Sequence, residues 1–376
     1  MTSEARARLI FVTQTIDPSD PVLGFAVDLV RALSKRFEKV VVIANTVAEI
    51  PSDLGAEVIS LGKEDGAGRL RRGARYERAL VRTVRHIRPD ALLAHMCPAY
   101  LNLAAPICRA AGVRLLLWFA HPATSPTLAL AEKLADRVLT PLPGAFPRRS
   151  RKLRAIGQAI DVEAFPLLSE PSPPGPFRLL SIGRTSPVKG YPTVLRAVRA
   201  LRDSGDQVEL RIVGPSTTWR EVDHRRELEK LIARLGVATS VTLERGVAHE
   251  RVASFYGQAD ALVSATIQGS GDKAVMEAAS SGLPVLVSNP VFGPLVGDLP
   301  VALSFQEDDH EDLATRIREL INAPPSVRGE VGSILRSRIE QDHSIEGWAT
   351  RVHETVVGLR GGARTPVAAS TNGPSR

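Results

Sequence analysis

Short apolar runs alternate with longer segments of helical period along this chain. In the first half the runs LIFVTQ (9–14), VVVIAN (40–45), ALLAH (91–95), RLLLWF (114–119) and RVLT (137–140) read as strands. Helical patterns fall between them, near 24–37, 70–88, 99–111 and 125–135. The runs are apolar at successive positions rather than at alternate ones. Strands of that kind are buried on both faces, as in a parallel sheet covered by helices. The segment PLLSEPSPPGPF (166–177) then breaks the pattern with five prolines and no periodicity, and reads as a linker.

The alternation restarts after this break. Strands are expected at 177–183, 208–214, 240–244, 261–265 and 284–288, and helices near 190–203, 220–235, 249–257, 272–281 and 309–322. The fold class is therefore α/β, with two doubly wound, Rossmann-like domains facing a central cleft. The expected divisions are an N-terminal domain over 1–165, a Pro-rich hinge over 166–176 and a second domain over 177–340. A C-terminal helix over 341–360 is expected to pack back on the first domain, and 361–376, small and polar, reads as a disordered tail. Ligands of open α/β sheets sit beyond the carboxyl ends of the strands, so two such edges share the cleft.

Composition narrows the class. The chain has 376 residues, 44% hydrophobic and 24% charged, which suits a globular protein with two cores. Cys97 and Cys108 are too few for a disulfide framework and wrongly spaced for a metal motif, so the expected compartment is the cytoplasm. The N-terminal residues lack the apolar core of a signal peptide, and no apolar run is long enough to span a bilayer. The net charge of +7 owes much to arginine. Arg69, Arg71, Arg72, Arg75, Arg78, Arg82, Arg85 and Arg88 face a single acid, Glu77, in one helical stretch, and RRSRKLR (148–154) adds a second cluster. Such clusters serve an anionic surface or are simply solvated. Aromatics make up 5% and do not interleave with the arginines, which argues against single-stranded nucleic acid, whose bases need stacking platforms, and no nucleic-acid partner is expected.

The candidate chemistry lies in two loops of the second half. In SIGRTSPVKGYPTVLRAV, Gly183 ends a strand, Arg184 follows at once, and Lys189 precedes Gly190 and a helix. Two cations in a strand-to-helix loop, near a helix N-terminus, suit a diphosphate. The spacing is not that of a Walker loop. In QGSGDKAVMEAASSG, Gly269, Ser270 and Gly271 form a turn, Asp272 stands where an N-cap belongs, and Lys273 and Ala274 open a helix. Glu277 lies inside that small, apolar helix, where a carboxylate needs a partner or a ligand.

In this order the segments SIGRTSPVKGYPTVLRA, ELRIVGP, ERGVAHERVASFYGQADALVSA and DKAVMEAASSGLPVLVSN resemble the retaining GT-B glycosyltransferases of family 4. LGFAVDLVRALSKRFEKVVVIA and AIGQAIDVEAF look like that family's first loop and helix and its crossing before the hinge, with Gln158-Ala159 where Asn-Gly is usual. The resemblance implies a transferase that moves a sugar from a nucleotide-diphosphate donor to a hydroxyl acceptor without a metal or bound cofactor. It implies that Arg184 and Lys189 hold the diphosphate, with Gly24 facing it across the cleft. Glu277 would take the ribose, and Arg245, Gly246 and Val247 would line the base. His121 matches a catalytic histidine near the donor sugar, and His95 is a second histidine at a strand end, on the acceptor side. The family's first motif glutamate falls at Gly269, within a Gly-Ser-Gly-Asp-Lys turn that marks a subgroup; Asp272 or Lys273 is then the candidate for its sugar contact. The alternatives are a GT-B epimerase and a non-catalytic glycosyltransferase-like partner. A phosphorylase needs a longer chain with a pyridoxal lysine. A dinucleotide oxidoreductase needs a Gly-x-Gly-x-x-Gly that neither half has.

The arginine-rich first half adds an expectation about place. It is read as a peripheral contact with the inner, anionic face of a membrane, where a lipid-linked acceptor is to hand.

Overall fold

The computed structural model describes residues 7–20, 23–48, 50–168, 175–248, 251–266 and 271–360. Gly269 and Ser270, residues 169–174 of the Pro-rich break and the tail over 361–376 lie outside the described residues.

Two parallel sheets organise the chain. The first contains β1 (Arg8–Ile16), β2 (Lys39–Val47), β3 (Glu57–Ser60), β4 (Ala91–His95), β5 (Arg114–Trp118), β6 (Arg137–Thr140) and β7 (Leu153–Ala155), in the order β3-β2-β1-β4-β5-β6-β7. Its helices are α1 (Ala26–Arg36), α2 (Arg69–Ile87), α3 (Pro98–Ala110) and α4 (Pro126–Leu134). The second sheet contains β8 (Phe177–Ile182), β9 (Val208–Val213), β10 (Val241–Glu244), β11 (Ala261–Ser264) and β12 (Val285–Val287), in the order β10-β9-β8-β11-β12. Around it and beyond it run α5 (Tyr191–Asp203), α6 (Trp219–Leu235), α7 (Val252–Tyr256), α8 (Lys273–Ser280), α9 (Gly293–Val296), α10 (His310–Asn322), α11 (Pro325–Asp342) and α12 (Ile345–Arg360).

The periodicity has a direct structural cause. Successive residues of β1 alternate between two cores. Leu9 and Phe11 pack with α1 and α12, whereas Ile10 and Val12 pack with α2, α3 and α4. A strand covered on both faces has no polar positions to spare, which is why its sequence reads as one apolar run. The second half is held by one core that runs from Leu179 and Leu180 on β8 to Leu335 and Ile339 on α11.

The strand orders place the site. In each sheet the order reverses beside the first strand, between β1 and β4 and between β8 and β11. A crevice opens beyond the carboxyl ends of strands at such a point. Gly24 follows β1, and Gly183 and Arg184 follow β8, so these residues lie at the two switch points.

The chain returns to the first half at its C-terminal end. Trp348, Ala349, Val352 and Val356 of α12 share a core with Leu29, Val30 and Leu33 of α1. The crossing segment is stitched into the same region. The Ile160 amide donates to the His343 carbonyl at 2.8 Å, and the Ile345 amide donates to the Ile160 carbonyl at 2.7 Å.

Candidate active site

The loop after β8 is shaped by two glycines. Gly183 has φ +147°, and a Cβ there would lie 2.5 Å from the Lys189 Cε, so only glycine lets the lysine fold back across the strand end. Gly190 has φ +63°, and a Cβ there would lie 2.1 Å from the carbonyl oxygen of Ala265 after β11. The Tyr191 hydroxyl donates to the Gly183 carbonyl at 2.9 Å, which fixes the loop against the start of α5.

Each cation of this loop is held by a carboxylate. Arg184 Nη1 donates to Glu221 Oε1 at 3.0 Å. Lys189 Nζ donates to Asp272 Oδ2 at 2.6 Å, and both of those side chains are mostly buried. The same Oδ2 accepts from the Ser264 hydroxyl at 3.1 Å and the Thr266 hydroxyl at 3.4 Å. Asp272 thus occupies the N-cap position of α8, but its carboxylate makes no capping bond. It turns to Lys189 instead, because an ammonium at 2.6 Å is a stronger partner than a helix amide.

Glu277 has the partners that its burial demands. It is 4% exposed. Its Oε2 accepts from the Tyr256 hydroxyl at 3.1 Å, and its Oε1 lies 3.4 Å from Lys273 Nζ. Burial, and then the adjacent Glu277 charge, push the Tyr256 hydroxyl well above its ordinary pKa, so it stays a donor. The Lys273 ammonium also sits 4.0 Å from the centre of the Phe25 ring, a cation–π contact that joins the two halves.

Two adjoining cavities meet at Phe25 and Lys273. One, of about 230 Å³, is lined by Gly183, Arg184, Gly246, Val247, Asp272 and Glu277, among others. The other, of about 260 Å³, is lined by Gly24, Asp28, Arg31, Asp161 and Phe165, among others. Gly24 is needed there because a Cβ would lie 2.8 Å from the carbonyl oxygens of Pro18 and Asp20. Gly271 faces the first half closely as well: a Cβ there would lie 2.9 Å from Leu142 Cδ1.

The structure places the site residues expected from the sequence differently, with Gly24 on the second cavity. Arg184, Gly246, Val247, Asp272, Lys273, Ala274 and Glu277 line one cavity, and Lys189 and Gly271 pack beside it. Gly269 and Ser270 fall outside the described residues. Arg245 and His121 are exposed and line neither cavity; His121 Nδ1 accepts from the Ala123 amide at 3.0 Å. His95, placed on the acceptor side by the sequence, is 1% exposed. It is stacked on Phe11, meets Phe25 edge-on and packs tilted against Trp118, and is within hydrogen-bonding distance of the Thr13 hydroxyl. Burial, then the Lys273 charge, lowers its pKa to about 3, so it is neutral and part of an aromatic core.

Sequence reading missed Phe25, Glu221 and Tyr256. The signal for Glu221 was present, because Thr218-x-x-Glu221 is a capping box at the start of α6. Nothing in the spacing linked that box to Arg184.

The comparisons with known proteins agree with this architecture. Residues 169–334 match the family Glycosyl transferases group 1, so the second half is such a domain. Over 129 residues the chain is 35% identical to the D-inositol 3-phosphate glycosyltransferase of Streptomyces scabiei, a stretch that covers 33% of this chain and 27% of that protein. It is 27% identical over 181 residues to the alpha-monoglucosyldiacylglycerol synthase of Streptococcus pneumoniae, covering 48% of this chain and 38% of that one. The matched stretches thus span well under half of these relatives. Among solved structures, HepE of Anabaena in complex with UDP has a TM-score of 0.72 at 17% identity, over 94% of this chain and all of that one. Sucrose-phosphate synthase of Thermosynechococcus elongatus has a TM-score of 0.75 at 17% identity, over 94% of this chain and 99% of that one. At these identities the likeness is one of fold. The fold is that of the GT-B glycosyltransferases, with two Rossmann-like domains.

Proposed function

We propose that this chain is a retaining, metal-independent GT-B glycosyltransferase of family 4, which transfers a sugar from a nucleotide-diphosphate donor to a hydroxyl acceptor. The observation that carries this reading is the gathering of Arg184, Lys273 and Glu277 around a cavity at the switch point of the second sheet, with Lys189 beside it on Asp272 and Phe25 lining it from the first half. Cleavage of the donor leaves negative charge on the diphosphate while the sugar becomes oxocarbenium-like. Arg184, Lys189 and the amides at the start of α8 are fixed where that charge develops, which is how a transition state is stabilised without reorganisation. Lys189 exchanges its Asp272 partner for, or shares it with, the incoming anion. Glu277, already oriented by Tyr256, accepts from ribose hydroxyls. Val247 and Gly246 offer an apolar wall to the base. The two halves meet around the donor and exclude water, which would otherwise compete as acceptor.

The purified protein, incubated with a panel of nucleotide sugars and candidate acceptors, is expected to release nucleoside diphosphate from one donor class. Absence of release and of binding across the panel, by calorimetry, sinks the donor assignment. Binding without any transfer or hydrolysis favours the non-catalytic partner instead. Glu277→Ala is expected to weaken nucleoside diphosphate binding by about tenfold, the loss of a charge-assisted bond or two. Unchanged affinity in that variant removes Glu277 from the ribose contact.

The acceptor is proposed to be lipid-linked or otherwise presented at the inner, anionic face of a membrane. The supporting observation is α2. Arg71, Arg78, Arg82 and Arg85 are exposed and fall on one face of this helix, and no ion pair engages them among the described residues. Leu70 at its start is 93% exposed. Arg75 is set apart, because its Nη1 donates to the Leu61 carbonyl at 2.9 Å. Among the described residues, no helix is long and apolar enough to cross a membrane. Each arginine near an anionic leaflet contributes roughly 1 kcal/mol, screened by salt. The protein is therefore expected to co-sediment with phosphatidylserine-containing vesicles at low salt. Replacing Arg71, Arg78, Arg82 and Arg85 by glutamine should abolish this. Protein left in the supernatant at low salt overturns the membrane contact and leaves the donor chemistry as it stands.

A further inference from the structure

We propose that Glu221 is the positioning residue of Arg184: it holds the guanidinium in place over the donor cavity and thereby sets the affinity for the diphosphate. The proposal rests on the donor assignment above and adds a residue that touches neither nucleotide nor sugar.

The geometry divides the two oxygens of Glu221 between two tasks. Oε2 accepts from the Thr217 amide at 2.7 Å, the Thr217 hydroxyl at 2.7 Å and the Thr218 amide at 3.1 Å. These bonds close the start of α6. Oε1 is left for Arg184 Nη1 at 3.0 Å. The side chain of Glu221 is 5% exposed and that of Arg184 is 48% exposed. A long cation on an open loop gains orientation only from what grips it. Here the grip is a carboxylate that cannot move without breaking a helix cap. Burial disfavours the charged form of Glu221. The Thr217 hydroxyl and amide, then the Arg184 charge and the Thr218 amide, outweigh burial and hold the carboxyl below its usual range. The carboxylate therefore stays charged at neutral pH.

Arg184 remains free to bind. A guanidinium has five N–H groups, and Nη1 spends one on Glu221. Arg184 lines the cavity beside Gly183 and Gly214. The pair thus presents oriented donors to an anion instead of a flexible charge. Pre-ordering a side chain before the ligand arrives removes from binding the entropic cost of immobilising it.

Glu221→Gln separates this role from the helix cap. In the variant the amide oxygen can still accept from Thr217 and Thr218, whereas its NH₂ then faces Arg184, donor against donor. The helix keeps its cap and the arginine loses its anchor. Nucleoside diphosphate binding is read by calorimetry with UDP, GDP and ADP, taking whichever binds the wild-type chain best, for wild type, Glu221→Gln, Arg184→Ala and the double variant. The melting temperature of Glu221→Gln should match that of wild type within a few degrees, and affinity should fall about three- to tenfold. In the double variant the loss should equal that of Arg184→Ala alone, because a residue that acts through the arginine has nothing left to act on. Wild-type affinity in Glu221→Gln overturns the proposal, as do losses that add in the double variant. If Arg184→Ala itself binds as wild type does, the diphosphate assignment fails first, and the positioning role falls with it. Should Glu221→Gln prove unstable, Glu221→Asp is read in the same cycle. It keeps the charge but withdraws it by one methylene, and the same coupling to Arg184 is required.

Discussion

Arg184→Ala and Lys189→Ala are each expected to lower the rate of donor turnover by about 10- to 1000-fold, the scale of removing one preorganised electrostatic stabiliser from an active site. The two variants should not behave alike. Arg184 is half exposed, and its partner Glu221 keeps three other donors when the arginine is gone. Its loss should therefore leave the fold intact and appear almost wholly in kinetics and diphosphate binding. Lys189 is mostly buried against Asp272, which among the described residues keeps the Ser264 and Thr266 hydroxyls after the change. A buried carboxylate stripped of its cation is destabilising, so this variant should also lose stability. Lys189→Ala combined with Asp272→Asn should regain much of that stability but none of the turnover. Donor consumption near the wild-type rate in both single variants would falsify the diphosphate role. Turnover regained in the combined variant would show that Lys189 acts on Asp272 and not on the donor.

These residues also show how far a sequence can be read. The strand runs were legible because β1, β2, β4, β5 and β8 are covered on one or both faces and so keep apolar residues in sequence. The two edge strands that periodicity missed, β3 and β7, are short and partly exposed, with Glu57 and Arg154 at open positions. α11 escaped for another reason. It opens on Pro324 and Pro325 and carries Gly329 and Gly332, which are poor helix formers. Gly332 is required because a Cβ there would lie 2.2 Å from the Gly282 carbonyl oxygen. Close helix packing set that residue, against its local propensity. The basic run 148–154 read as a charged surface, yet part of it is structural. Lys152 Nζ donates to the carbonyls of Glu132, Lys133 and Ala135, where it closes the end of α4.

The site was half legible for a related reason. Arg184, Lys189, Asp272 and Glu277 could be proposed because their spacing in each loop is a local property. Their partners could not. Glu221 lies 37 residues from Arg184, and Asp272 lies 83 residues from Lys189. Phe25 reaches Lys273 only because the two halves face each other. Pairings of this kind are set by the strand order of each sheet and by how the halves meet. The surroundings of His95 were equally illegible. A histidine at a strand end suggests a ligand, but the neighbouring rings Phe11, Phe25 and Trp118 enclose it.

Trp348→Ala is expected to destabilise the first half by about 3–5 kcal/mol, the usual cost of emptying a large buried aromatic site. That is a large share of the roughly 5–15 kcal/mol that holds a domain folded. Trp348 is fully buried on α12 and shares its core with Leu33 and Phe37 of the first half, and with Ile156 and Ala159 of the crossing segment. Polar contacts accompany this attachment. Lys35–Glu346 at 2.9 Å is an exposed pair, of a kind worth at most about 1 kcal/mol. Arg360, at the end of α12, donates from Nε and Nη2 to the two Asp90 carboxylate oxygens at 2.9 and 2.8 Å, and the apolar core lies between these ends. The Arg351 Nε bond to the Ile156 carbonyl, at 3.0 Å, and the Ile345 amide bond to the Ile160 carbonyl, at 2.7 Å, tie the crossing chain to the same helix. Loss of Trp348 should therefore loosen α12 and the crossing segment together. Urea unfolding followed by circular dichroism should show an earlier transition for the first half. Trp348→Phe, which keeps a ring in the site, should cost clearly less. The donor cavity of the second half does not use Trp348, so nucleoside diphosphate affinity measured well below the transition should be close to wild type. A loss of under 1 kcal/mol would mean that α12 is held by its ends and not by this core.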